Sequence, residues 1–175
     1  MKPAIAFGIG SLMVIISLDV QAQTATDTSR QALLIAAKEI MLTSGKCALI
    51  TQDEQGTPQV RTMDPFSPTE DFTVWMATNP NSRKVEQLRN NVNVILYYSD
   101  KDDNGYVVIH GTASLINDQK EKEKRWKDEW KSFYTNRTDQ YLLIKVTPDY
   151  LEVINYKRGI SGDPKTWQPA RVVFK

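Results

Sequence analysis

From Cys47 onward the chain is cut into short runs of apolar, β-branched and aromatic residues, separated by clusters of Gly, Pro, Asn and Asp. That segmentation constrains the fold more than any other feature. Short strands with tight connections that outnumber the helices favour a mainly β architecture, an antiparallel barrel with helices at its ends. Periodicity alone leaves other mixed folds open. The pattern predicts strands near 47–51, 59–63, 72–78, 92–99, 106–116, 141–146, 151–155 and 171–174. Gly111 interrupts the longest of these and predicts a bulge or a close backbone approach.

Helical spacing is confined to three places. Leu33, Leu34, Ala37, Ile40 and Met41 predict a helix over 31–42, with Ser29 as its N-cap and Gly45 as its stop. Asn79-Pro80-Asn81 starts a second helix that runs to about Asn90, with an Asn as cap and Val85 and Leu88 facing inward. Asp118 and Glu121 have capping-box spacing at the head of a third, expected to reach Tyr134. On that third helix Trp126, Trp130, Phe133 and Tyr134 form one aromatic stripe. It reads as a packed face or as a lid over a planar ligand.

With 41% hydrophobic and 25% charged residues, a chain of this size buries a core without disulfides or metals. A net charge of +1 gives no overall field for nucleic acid or an anionic membrane. Lys2, the apolar run from Ala4 to Leu18 and the small residues of Val20-Gln21-Ala22 read as a cleaved export signal over 1–22. The run is too short for a stable membrane span. A periplasmic or otherwise exported protein is expected, with a flexible lead-in over 23–30 and one domain over 31–175. Cys47 and His110 are each the sole residue of their type, so neither an internal disulfide nor a His/Cys metal cluster is expected. His110 reads as a satisfied core histidine.

The chemistry concentrates between Thr73 and Asn91. A strand ends at Thr78, the chain turns, and Ser82-Arg83-Lys84 fall in the first turn of a helix. Free N–H groups and the helix dipole attract an anion there, Ser82 adds a hydroxyl, Lys84 a point charge and Arg83 a fork suited to phosphate. Taken alone, the stretch fits an anion site and a solvated basic helix start equally well.

Thr78-Asn79-Pro80-Asn81-Ser82-Arg83-Lys84, with Leu88 and Asn90-Asn91, resembles the flavin-phosphate segment of the pyridoxamine 5′-phosphate oxidase family. Gly56 to Arg61 is similar to that family's turn and strand carrying a phosphate-binding Arg, and Tyr106 to Ala113 to the strand after the flavin helix. The resemblance covers roughly 31–153. The helix with Trp126 and Trp130 is similar to the general stress protein branch. The resemblance implies a split β-barrel of the FMN-binding type, an antiparallel Greek-key barrel that dimerises with flavin mononucleotide at the subunit interface. FAD, haem and deazaflavin are the lesser alternatives on the same barrel. It further implies phosphate contacts from Arg61, Ser82, Arg83 and Lys84. The backbone of Thr62, Met63 and Asp64 lies along the flavin ring, with Ala77 and Thr78 beside it and Tyr106 as a further contact.

The oxidase's own substrate residues are missing. Asp64-Pro65-Phe66 stands where the oxidase has its substrate Lys, and no His follows His110 to form the C-terminal Arg-x-His-x-Arg signature. Oxidation of pyridoxamine phosphate is therefore not expected. No catalytic acid or base stands out, which leaves three readings: a flavin-dependent oxidoreductase, a non-catalytic flavin binder, and a haem or deazaflavin binder on the same barrel.

Overall fold

A computed structural model describes residues 13–136 and 138–174, with side chains described from Ser29 onward. Its strands are β1 (Cys47–Gln52), β2 (Pro58–Met63), β3 (Val74–Thr78), β4 (Asn93–Ser99), β5 (Gly105–Ile116), β6 (Leu142–Asn155) and β7 (Ala170–Val173). They form one antiparallel sheet in the order β2-β1-β4-β5-β6-β3, with β7 also paired to β6. The sheet curls into a split barrel, and an isolated bridge between Pro65 and Met76 links the chain after β2 to β3. Alternate residues of each strand point inward, so Leu49, Leu96, Ile109, Val146 and Leu151 are fully buried in one core.

The Gly111 bulge is present: the β5–β6 register slips between His110 and Gly111, and Gly111 faces Pro148. A side-chain carbon on Gly111 would lie 2.3 Å from the Thr147 carbonyl oxygen, so the two backbones approach too closely for any other residue.

Three expectations are corrected here. The two strands expected over 141–146 and 151–155 are one strand, Leu142–Asn155, with Pro148 opposite Gly111 at the register slip, where a proline is tolerated. Phe72 is buried but outside β3; it has φ 60° in a turn where Asp71 accepts hydrogen bonds from the Thr73 backbone and hydroxyl. The third helix is short. α3 (Gln119–Lys124) is capped by the Asp118 side chain, which accepts from the Glu121 N–H at 2.9 Å. A separate 3-10 helix follows at Asp128–Ser132.

The first helix, α1, is continuous over Met13–Ser44, so Ser29 lies within it rather than at its cap, and 23–30 is helical rather than a loose lead-in. Gly45 does stop it, at φ 63°. Residues 1–12 of the expected export signal lie outside the described residues. No helix among the described residues is long and apolar enough to cross a membrane. From Leu33 onward the helix belongs to the barrel unit, where Ala36, Ala37, Ile40 and Met41 join the core.

Candidate functional site

The second helix, α2 (Arg83–Asn90), follows β3 after a four-residue turn. Val85 and Leu88 face inward as expected. The capping differs from the expectation. Ser82, not an Asn, is the N-cap residue, and its side chain makes no capping bond. Its hydroxyl instead pairs with the Thr78 hydroxyl at 3.1 Å, and the Asn79 carboxamide accepts from the Asn81 N–H within the turn. The first turn of α2 therefore presents N–H groups without a side-chain cap.

Three cations gather at this helix. Lys84 Nζ donates to Thr78 Oγ1 at 3.1 Å. Arg61, on β2, donates to Thr51 Oγ1 at 2.6 Å and to Gln87 Oε1 at 2.8 Å, both on buried side chains. Gln87 also accepts from the Thr51 hydroxyl, so the guanidinium is anchored by a closed polar triangle. Among the described residues Arg61, Arg83 and Lys84 make no ion pair with a carboxylate. Burial, and then the charge of Arg83, lower the pKa of Arg61; burial, and then Arg61, lower that of Lys84. Like charges held close against their own repulsion are an arrangement that a bound anion would relieve. This arrangement favours the anion site over the solvated helix start for Ser82-Arg83-Lys84.

Beside this cluster lies a cleft of about 750 Å³. Its floor is the end of β2 and the end of β3, where Thr62, Met63, Asp64, Ala77 and Thr78 line it together with Lys84. Its roof is the 3-10 segment, which contributes Lys127, Glu129, Trp130, Phe133 and Tyr134. Six of the ten residues singled out in the sequence thus share one cavity wall. Arg61 and Ser82 adjoin the Lys84 end, whereas Arg83 is exposed and lines a separate surface pocket with Asp53, Glu54 and Glu86. Tyr106 is not brought into the cleft; it stacks on Tyr97 at 5.8 Å on the outer face of β4 and β5.

The aromatic stripe survives as a cluster rather than as a helix face. Trp130 meets Phe66 edge-on at 5.4 Å and Trp126 at 6.0 Å, and Tyr141 closes the group from β6's approach. Trp130 is buried, whereas Phe133 is 77% exposed at the cleft mouth. Sequence reasoning missed Lys46, Thr51, Gln87 and Lys127. Of these, Gln87 left a trace: a polar residue beside Leu88 on the inward side of a short helix needs a buried partner.

His110 is not a core residue. Ile109 takes the inward position, which turns His110 outward and flat against Tyr150 at 4.3 Å. Cys47 is buried, and burial pushes its thiol pKa up to about 11, so it packs as a small hydrophobe.

Fold and cleft together define a split-barrel protein with a cluster of basic residues at the start of its second helix. The chain belongs to the family described as pyridoxamine 5′-phosphate oxidase like, which matches residues 36–159. Within it the chain falls in the general stress protein branch. It is 26% identical over 106 residues to General stress protein 26 of Bacillus subtilis (strain 168), covering 58% of this chain and 74% of that one. The crystal structure of General Stress Protein 26 from Bacillus anthracis superposes with a TM-score of 0.63 at 26% identity, over 82% of this chain and 97% of that one. A pyridoxamine 5′-phosphate oxidase-related, FMN binding protein from Nostoc punctiforme shares the fold, with a TM-score of 0.59 at 11% identity over 84% and 94% of the two chains.

Proposed function

We propose that this chain binds flavin mononucleotide, phosphate at the head of α2 and ring in the adjoining cleft, and serves as an exported flavin-dependent oxidoreductase. The observation that carries the reading is the pair Arg61 and Lys84 with Arg83 close by, none of which makes an ion pair among the described residues, beside uncapped helix N–H groups. A phosphate monoester satisfies both at once, since the fork of an Arg and the point charge of a Lys each gain a charge-assisted hydrogen bond. The Nostoc relative is itself described as FMN binding, which supports the same ligand here.

Each part of the cleft has a task under this reading. Ser82 and Thr78 hold the hydroxyl pair that steadies Lys84. The Thr51–Gln87 pair fixes the Arg61 fork. The backbone of Thr62 to Asp64 runs along one side of the ring site, and Trp130, Phe133 and Tyr134 screen it from water on the other. Bound flavin supplies the electron-accepting chemistry, while the protein sets orientation and access. Pyridoxamine phosphate is not the substrate in this account, because the residues that recognise its phosphate in the oxidase are absent.

The outer sheet face supports a homodimer. Val60, Ile50 and Ile95 stand side by side in register across β2, β1 and β4, and Tyr97 lies next to them; Val60 is 66% exposed. An apolar strip of this kind on a sheet face fits a second copy of the same face. Tyr106 lies on this face, where it can serve the partner's cleft. The N-terminal signal supports export.

The test is the absorbance spectrum of the purified protein after gel filtration with added flavin mononucleotide, followed by reduction with a nicotinamide or quinol donor. A retained flavin spectrum that bleaches on reduction and recovers on reoxidation supports the reading. A protein that elutes free of flavin at saturating ligand overturns it.

A further inference from the structure

One carboxylate joins the floor of the cleft to its roof. Asp64 ends β2, and its Oδ1 accepts from Lys46 Nζ at 2.9 Å and pairs with Lys127 Nζ at 3.0 Å. Its Oδ2 accepts from Trp130 Nε1 at 3.1 Å. Lys127 donates in addition to the Pro65 carbonyl at 2.8 Å. Lys46 precedes β1, Asp64 and Pro65 follow β2, and Lys127 and Trp130 belong to the roof. The roof is irregular: α3 ends at Lys124, the chain is unwound through Arg125 to Lys127, and the 3-10 helix is five residues long. Its internal hydrogen bonds span only single turns, so it takes its position from the packing of Trp130 against Trp75, Tyr141 and Leu143 and from the polar ties to Asp64 and Pro65. Burial works to raise the Asp64 pKa, yet the hydrogen bonds from Lys46, Lys127 and Trp130 outweigh it and hold it below the usual carboxylate range.

We propose that the Asp64 side chain is a positioning residue, a clasp that sets how often the aromatic roof opens over the cleft and so governs both entry and release of the ligand. This goes beyond the backbone role given to Asp64 in holding the flavin ring, and its flavin arm rests on the reading above. A clasp has a kinetic signature that a contact lacks. Loosening it speeds entry and release together and leaves the equilibrium nearly unchanged, whereas losing a ligand contact speeds release alone.

The experiment uses the full chain with Asp64→Asn, Asp64→Glu and Trp130→Phe. Hydrogen exchange is followed at the Trp130, Phe133 and Tyr134 amides, each of which is hydrogen-bonded within the roof. Without any ligand, Asp64→Asn speeds exchange at these amides roughly tenfold or more, and leaves the β5–β6 amides unchanged. Trp130→Phe keeps an aromatic ring and removes one donor, and gives a smaller change in the same direction. Asp64→Glu restores part of the protection. Roof amides that exchange at the parent rate in Asp64→Asn overturn the clasp. With flavin mononucleotide in stopped flow, Asp64→Asn raises association and release rates by similar factors, while Kd moves by less than about threefold. Faster release with unchanged association makes Asp64 a contact and overturns the proposal. If the parent protein binds no flavin, the functional reading falls and the exchange result still decides the clasp.

Discussion

Replacing Lys84 by Ala separates the ligand's demand from the protein's own. Lys84 is half-buried near Arg61, makes no ion pair among the described residues, and has its pKa lowered by burial and then by Arg61. It gives the ligand-free protein one hydrogen bond, from its ammonium to the Thr78 hydroxyl oxygen at 3.1 Å, and Thr78 keeps Ser82 as a partner when that bond is lost. A bond from a charged donor contributes about 1.5–3 kcal/mol, and the relieved repulsion with Arg61 offsets part of it, so the ligand-free protein should melt within several degrees of the parent. The bound state loses a charge-assisted bond of about 1.5–3 kcal/mol, a factor of about 10 to 150 in Kd. Titrating flavin fluorescence against the parent and Lys84→Ala measures the factor, and scanning calorimetry of the free proteins measures the melting point. Riboflavin, which has no phosphate, is the control and should bind both proteins alike. An unchanged affinity for flavin mononucleotide, or an equal loss for riboflavin, would refute the assignment of Lys84 to phosphate. A steep fall in the melting point would show Lys84 to be structural instead.

Other parts of the structure make their own demands. Gly111→Ala places a methyl 2.3 Å from the Thr147 carbonyl, and should cost about 1–3 kcal/mol in urea unfolding, with parent values at an exposed site such as Lys131→Ala as the comparison. The Asp100 carboxyl is pushed down to about 2, chiefly by hydrogen bonds from Asn104 and also from Thr43 and Asp102. Its folded pKa lies below the unfolded one, so its contribution is complete above the ordinary carboxylate range and is lost as pH falls toward 2. Melting points from pH 7 to pH 2 should fall less steeply in Asp100→Asn, and parallel curves would contradict the assignment. Val60→Lys puts a charge into the apolar strip of the outer face, and should shift sedimentation toward the monomer without lowering helix or strand content.

Much of the barrel can be read from alternation and turn chemistry, because strands with one buried face must show a period of two. The bulge is legible for a specific reason: a lone Gly weakens the middle of a long β run, and it sits there where two backbones come too close for a side chain. Pro148 misleads for the converse reason. Proline normally ends a strand, and its tolerance here depends on the register slip opposite it, which no local pattern reveals. Trp126 and Trp130 also mislead, since their spacing suits a helix, while the chain is drawn out of helical form where Trp130 reaches Asp64 and Phe66. The anion grip is half legible. Ser82, Arg83 and Lys84 are neighbours in sequence, whereas the Thr51–Gln87 pair that anchors Arg61 comes from β1 and α2 and exists only once the barrel has formed.

The proposed role of the Arg61, Arg83 and Lys84 cluster is to grip the phosphate of a flavin. Equilibrium binding of flavin mononucleotide and riboflavin to the same purified protein, at low and at moderate salt, tests it most directly. Flavin mononucleotide should bind at least about 10-fold more tightly, and salt should weaken it while leaving riboflavin nearly unaffected. Equal affinities with no salt dependence would contradict it.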